Sequence, residues 1–406
     1  MAATGRSTAL LLAVGSALGG AAVYYADLLR LRSSRKEQDP EKDHSIAHAL
    51  VWTCIGGAMH SSMLYIGDRL KLYETLRDCC GKDGSSVTAI ELSERTGLNQ
   101  RWLREWLAQQ AAMGILLLLP GTYDDDESLR YRLPRATAEV LADASSKEYD
   151  IAMIQAVPSL VNRAKTMLPE AFRTGIGRPY DEPEIAEGID RQHRTHIRDV
   201  FLPQVVPATA NGRVLRMLEE GCLVADLGCG GGNLMIAMAQ AFPNSTFHGF
   251  DVSKAALEIC AHRIASLQLR NAFLHDAKES AESLGDFKHM FDLVTTYDVL
   301  HDAPNPEELV AQVRIALKSE TGIWLLADIP SAPSIRENIA GNPAAGTYFA
   351  FSACLCMACA LSVEGGRGLG TLGFSIPVAT KMLKEGGFDS IRVIFENQFN
   401  RWFEVF

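Results

Sequence analysis

The sequence predicts an α/β protein: a parallel sheet covered by helices, preceded by a smaller, mainly α winged-helix domain. Three observations predict it. Past Gly221, the strand-like runs "LVADLG", "TFHGFD", "AFLHDA", "FDLVTTYDVL", "GIWLLADI" and "SIRVIFE" alternate with helical stretches. Alternation at this spacing implies a parallel sheet between helices. Between Ser86 and Leu116, Leu92, Leu98, Leu103, Leu107 and Met113 fall at helical spacings, and Gly97 breaks the two runs. That reads as a helix–turn–helix. The following "LLLLPGTYDDDESLRYRL" reads as strand, acidic turn and strand, completing a winged helix.

Composition narrows the class. The chain has 406 residues, 47% of them apolar, and a net charge of −10. It is long enough to bury a large core and divide into two or three parts. Nonspecific nucleic-acid binding runs on excess Lys and Arg, so the charge argues against it. Nine cysteines fall without a regular framework, which points to reduced thiols and a cytosol-facing chain. Cys354, Cys356 and Cys359 form C-x-C-x-x-C in apolar surroundings, without a second ligand pair. They read as small buried hydrophobes, and no metal is expected.

Four regions are expected along the chain. Residues 1–43 are a separate leader. Within it, Ser7 to Ala26 carries no charge over 20 residues, about the length of a bilayer-crossing helix. Arg30, Arg32, Arg35 and Lys36 follow it, against Arg6 alone before it. A membrane anchor with the rest of the chain facing the cytosol is expected, with a cleaved signal or organelle-targeting peptide as the alternative. Residues 44–150 form the winged-helix domain, opened by an apolar helical stretch from His44 to Cys80. Residues 151–220 form a mostly helical connector, and residues 221–406 the sheet domain. The winged helix reads either as a DNA-binding or as a dimerisation module. Its wing carries Asp124, Asp125, Asp126 and Glu127, which would repel phosphate, so a homodimer is expected and nucleic acid is not.

The chemistry centres on "VADLGCGGGNL", residues 224–234. A buried strand ends there and a helix begins near Asn233, so the glycines fill the first strand-to-helix turn, where doubly wound sheets bind ligands. Glycine permits positive φ and lets a ligand lie against bare backbone. Gly228, Gly230 and Gly232 follow Asp226, and Asn233 stands where the dinucleotide fingerprint needs its last glycine. A carboxylate at Asp226 repels pyrophosphate and suits a cationic amine. Asp251 ends the second strand, 23 residues past Gly228, where an acid can take both ribose hydroxyls. A ligand with a ribose, an ammonium and a carboxylate but no phosphate fits: S-adenosylmethionine.

On these motifs the sequence resembles the class I S-adenosylmethionine-dependent methyltransferases, over about residues 45–406. With the winged helix in front, it is similar to the two-domain small-molecule enzymes, both plant-type O-methyltransferases and a bacterial branch with "GFD" and "LHD" at the same places. The resemblance implies a Rossmann-like sheet of seven strands, closed by the hairpin in "LKEGGFDSIRVIFENQFNRWFEVF". It implies that Val252, Asp276 and Ala277 flank the cofactor; Asp298, after the fourth strand, reads as a cofactor-side residue or a local cap. It also implies a catalytic pair at His301 and Asp302, with His301 as general base and Asp302 orienting it, although Ala303 replaces the family's Trp. Such a pair points to O-methylation of a small molecule. The rival is S-methylation of a thioether such as methylthio-hydroxybutyrate, on the route to dimethylsulfoniopropionate, which needs no base; N-methylation is a further alternative. Outside the methyltransferases, the alternatives are a winged-helix regulator that senses S-adenosylmethionine and an NAD-linked oxidoreductase. Asp226 and the missing glycine oppose the last. Candidate substrate contacts are Tyr180, His193, Arg194 and His196 on the connector, and Tyr348 and Ser352, which share one helix face at i, i+4.

Overall fold

A computed structural model describes residues 40–81, 85–121, 125–179, 181–278 and 284–406. The candidate anchor at Ser7 to Ala26 lies outside them. The chain divides into two units, one ending at Val157 and one running from Pro158 to Phe406. Most of the expected connector therefore belongs to the second unit.

The first unit opens with helix α1 (Pro40–Arg69), followed by α2 (Leu72–Cys80), α3 (Ala89–Thr96) and α4 (Gln100–Ala112). Thr88 starts α3: its hydroxyl accepts from the Glu91 amide, and the Glu91 carboxylate accepts from the Thr88 amide. This reciprocal cap satisfies two otherwise orphaned donors. Gly97, at φ +70°, ends α3, and Asn99 caps α4. Leu92, Leu103 and Leu107 are buried with Tyr73, Leu76 and Trp106 in one core, as the periodicity requires. Met113 remains exposed. The wing is a two-residue pairing of β1 (Leu117–Leu118) with β2 (Tyr131–Arg132). Arg101 and Arg104, the arginines of α4, pair with Glu105 and with Glu127 of the wing at 2.6 and 3.9 Å.

Helix α1 is unusual. From His44 to Gly67 it carries no Asp, Glu, Lys or Arg, yet Val51, Trp52, Ile55 and Met59 are exposed. His44–Arg69 is long and apolar enough to cross a membrane by length and composition alone. Its last turns pack on the core through Met63 and Leu64, and the Trp106 indole donates to the Met63 carbonyl at 3.0 Å.

The second unit is built on a seven-stranded sheet of β3 (Leu223–Leu227), β4 (Thr246–Asp251), β5 (Ala272–Asp276), β6 (Leu293–Tyr297), β7 (Ile323–Asp328), β8 (Ile391–Glu396) and β9 (Arg401–Val405), in the order β5-β4-β3-β6-β7-β9-β8. All neighbours are parallel except β9, which runs antiparallel to both β7 and β8. The chain builds outward from β3 through β4 to β5, then returns to place β6 on the other side of β3. The crevice at the carboxyl end of β3 is thus the topological switch point, where such sheets bind ligands. Helices cover both faces, and β6 and β7 are buried throughout, which explains their near-continuous apolar sequences. One core contains Phe201, Phe247 and Trp402; the other contains Phe250, Trp324, Phe374 and Phe403. Three further helices position the site: α5 (Pro183–His196), α6 (Asn233–Ala241) and α7 (Lys254–Ser266). A fourth, α8 (Ala345–Cys354), begins the apolar insertion after β7.

Replacing Thr88 by Ala should cost the first unit about 1 kcal/mol, the usual worth of an N-cap, read as a lower denaturant midpoint with an unchanged slope.

Candidate active site

The glycine loop turns against the end of β4. The amides of Gly228 and Cys229 both donate to the Phe250 carbonyl, at 2.7 and 3.1 Å. Gly228, Gly230 and Gly232 hold φ of +71°, +54° and +81°, a region that favours glycine. The structure separates their purposes. A Cβ on Gly228 would strike Val299, one on Gly231 would strike the Asp190 carboxylate, and one on Gly232 would strike the Cys260 sulfur. Only Gly230 of this group faces open space. Most of the loop's glycine serves protein packing, and one residue leaves room for a ligand.

Three acidic residues stand at the carboxyl ends of adjacent strands. Asp226 of β3 is 2% exposed. One of its oxygens accepts from the Thr295 hydroxyl at 2.7 Å, and the other is buried without a hydrogen-bond partner. Burial pushes the Asp226 carboxyl up to about 7, against the Thr295 hydrogen bond and with the help of the Asp251 charge. Asp251 of β4 ties two backbone turns together, accepting from the amides of Gly230 and Ser253, each at 2.8 Å. Burial raises its pKa while those amides oppose the shift. Asp276 lies directly across from Asp251 on β5 and accepts from the Lys278 amide. The Ala277 amide donates to the Asp251 carbonyl at 2.9 Å, and Val252 is half exposed beside them.

Asp298 follows β6 with a φ of +57°, a strained conformation for a residue with a side chain. Its carboxylate accepts from the Asn400 amide at 2.9 Å and faces His193 Nε2 at 3.4 Å. The Tyr297 hydroxyl donates to the other end of Asn400. His193 stands edge-on to Tyr297, with ring centres 4.5 Å apart, and His196 lies at 6.0 Å. Burial lowers the His196 pKa to about 4, reinforced by His193 and opposed by Asp298.

His301 is 3% exposed, and its Nδ1 lies 2.8 Å from an oxygen of Asp328, at the end of β7. The acid paired with Nδ1 is thus Asp328, where Asp302 was expected; the Asp302 amide helps close the turn on Val299. Burial disfavours a charged imidazole here, but the Asp328 carboxylate, joined by a hydrogen bond to Cys356, outweighs it and holds His301 above its ordinary value. Asp328 was readable as the acid closing "GIWLLAD"; only the sheet register shows that it reaches His301. The other expected contacts divide. Tyr180 lies outside the described residues. Arg194 is engaged by Asp190 at 2.5 and 3.1 Å. The Ser352 hydroxyl, buried on α8, accepts from the Thr371 amide, while Tyr348 is half-buried one turn earlier. Gly370, the residue before Thr371, donates to the His301 carbonyl at 2.9 Å, so Ser352 braces the loop seated on His301. Sequence reasoning also missed Arg163, 1% exposed, which donates to Glu182 and to the carbonyls of Pro179 and Cys354. It ties Pro179 and Glu182 to the end of α8.

An open backbone turn, an unpartnered buried carboxylate oxygen and a row of strand-end acids fit S-adenosylmethionine. The sheet order and the glycine turn at its switch point are those expected of the class I S-adenosylmethionine-dependent methyltransferases. Residues 225–323 match the family described as a methyltransferase domain, and residues 58–143 match the Rv2258c-like winged HTH domain. The chain is 28% identical over 155 residues to the tRNA (guanine-N(7)-)-methyltransferase of Erythrobacter litoralis, covering 37% of this chain and 60% of that one. It is 34% identical over 92 residues to the ubiquinone biosynthesis O-methyltransferase of Alkalilimnicola ehrlichii, covering 22% and 35%. The chain thus spans from about a third to three-fifths of the length of these curated relatives. Among solved structures, human N-acetylserotonin methyltransferase in complex with the same cofactor aligns with a TM-score of 0.62 at 14% identity, over 92% of this chain and 98% of that one. A putative O-methyltransferase from Nostoc punctiforme aligns at 0.63 and 18% identity, over 88% and 98%.

Asp226 gives a test in the ligand-free protein. With a folded pKa of about 7 and an unfolded one near 3.9, the folded state keeps a proton the unfolded chain has released, so stability falls as pH rises between them. The loss is about 1.4 kcal/mol per pH unit at its steepest. Asp226→Asn should remove this component, gaining stability over wild type as pH rises from 4.5 to 7.5 in paired thermal melts.

Proposed function

We propose that this protein transfers the methyl group of S-adenosylmethionine to a hydroxyl oxygen of a small-molecule acceptor, with His301 as general base. The observation that carries the reading is the buried His301–Asp328 pair at 2.8 Å. When bound, the cofactor supplies an electrophilic methyl group; the chain supplies alignment, a dry site and a proton acceptor. The unpartnered oxygen of Asp226 would receive the donor's ammonium. Asp251 keeps a lone pair on each oxygen beyond its two amide bonds, enough for the ribose hydroxyls. Gly228, Gly230 and Gly232 would carry the methionine end, and Val252, Asp276, Ala277 and Asp298 would border the rest of the donor.

Asp328 holds the Nδ1 proton of the neutral imidazole, and Cys356 is a second hydrogen-bonding neighbour of the ring; the acceptor hydroxyl would take the place of that sulfur at Nε2. A base held above the ordinary imidazole range suits a hydroxyl, whose proton is harder to remove than that of a thiol. Thioether and amine acceptors require no such base, and on either His301 would only shape the pocket. Tyr348 and His193 are the remaining candidates to border the acceptor. The same reading makes the protein a homodimer through its first unit, whose α1 presents an uncharged face. It also places the catalytic unit on the cytosolic side of a membrane held by residues 7–26, or inside an organelle addressed by them.

His301→Ala should lower kcat by about two to four orders of magnitude while S-adenosylhomocysteine affinity stays close to wild type. Wild-type kcat should rise with pH through an apparent pKa above the ordinary imidazole value of about 6.5, as the base loses its proton. Asp328→Asn should shift that inflection downward and lower the plateau; a pH-independent kcat would assign a sulfur acceptor instead. Asp251→Ala should weaken S-adenosylhomocysteine binding about tenfold or more, since it removes hydrogen bonds to a charged group; unchanged affinity by calorimetry would remove it from the donor site.

A further inference from the structure

We propose that Asp190 and Arg263 are positioning residues for the methyl donor, fixing Gly231 and Asn233 from behind the glycine loop. The inference rests on the donor reading above. Asp190 lies on α5, is 3% exposed, and is wrapped by two guanidinium groups. One oxygen accepts from Arg263 of α7 at 2.7 Å; the other accepts from Arg194 at 2.5 and 3.1 Å. The same Arg263 nitrogen also donates to the Gly231 carbonyl at 2.7 Å. The Asp190 carbonyl accepts from the Asn233 side-chain amide at 2.5 Å. Three segments far apart in sequence are thereby locked at one point: α5, α7 and the loop that opens α6.

Several observations direct this lock toward the donor. Asp190 touches the loop so closely that any side chain on Gly231 would collide with its carboxylate. Gly231 does not hold a positive φ, so this contact, and no backbone requirement, excludes Ala there. Gly231 is also the immediate neighbour of Gly230, the residue that faces open space. Finally, the bond from Asp190 to the Asn233 nitrogen turns the amide so that its oxygen is buried without a partner. Asn233 is 8% exposed. The loop thus ends in a second unpartnered acceptor, seven residues after Asp226, whose free oxygen is the first. Two such acceptors suit an ammonium group. A buried carboxylate between arginines adds little net stability compared with apolar packing; its contribution here is a fixed loop.

The test is a double-mutant cycle on S-adenosylhomocysteine affinity, read by calorimetry with melting temperatures in parallel. Asp190→Ala and Gly231→Ala should each weaken binding about tenfold, and the double variant should be no worse than Asp190→Ala alone, because the methyl group added at position 231 then fills space the carboxylate has left. Penalties that multiply in the double variant would overturn the coupling. Asn233→Ala leaves the ionic cluster in place and should also weaken binding about tenfold; wild-type affinity there, or in Asp190→Asn, would overturn the proposal even if Asp190→Ala fails to fold. If the wild-type protein itself does not bind S-adenosylhomocysteine, the donor reading fails first and this inference falls with it.

Discussion

The carboxyl edge of the sheet depends on how tightly the backbone of residues 228–232 is enclosed. Val299, Asp190 and Cys260 each approach a glycine more closely than a side chain would allow. That enclosure sets where the loop runs, hence where its amides point and where α6 begins. Asp251 completes it by gripping the Gly230 amide from the end of β4. The loop is therefore a rigid part of the unit's interior, and its open face at Gly230 is a consequence of being held everywhere else. A preorganised site of this kind need not spend binding energy on ordering itself.

Burial then decides what the acids can do. Asp226, Asp251 and Asp328 are withdrawn from water, and burial raises the pKa of each. Each is offset differently: Asp226 by one hydroxyl, Asp251 by backbone amides, Asp328 by an imidazole. Asp226 keeps a buried, unpartnered oxygen and a pKa near neutrality, which marks it as a place where an incoming cation would be welcome. The neighbouring pair joins His301 to an acid on the next strand, so it is set by the sheet and not by a flexible loop.

Much of this was legible in the sequence. The strands of the sheet could be read because β3, β6 and β7 are buried on both faces and so appear as apolar runs. The helix–turn–helix could be read because Leu92, Leu103 and Leu107 obey one period. What was hidden depends on neighbours across the sheet. Asp302 adjoins His301 in sequence, but it is Asp328, brought alongside by β7, that pairs with the Nδ1. Arg194 looked like a substrate contact on an exposed helix; its real partner lies one turn back at Asp190. Ser352 shares a face with Tyr348 as expected, yet its hydroxyl is taken by Thr371. The glycines were correctly placed at a turn, but nothing local indicates that most of them make room for side chains of the protein itself.

The position of β9 carries a consequence for how the protein is made. It follows the other six strands of this sheet in sequence, yet it is an inner strand, between β7 and β8. Asn400, just before it, steadies both Tyr297 and Asp298, and Arg401 lies opposite Asp328. A chain still emerging from the ribosome, with residues 400–405 not yet released, has β7 uncovered on one edge and both carboxylates without these neighbours. This edge of the sheet is completed only after residues 400–405 have emerged, so a product truncated before them would carry the glycine loop without the neighbours of Asp298 and Asp328.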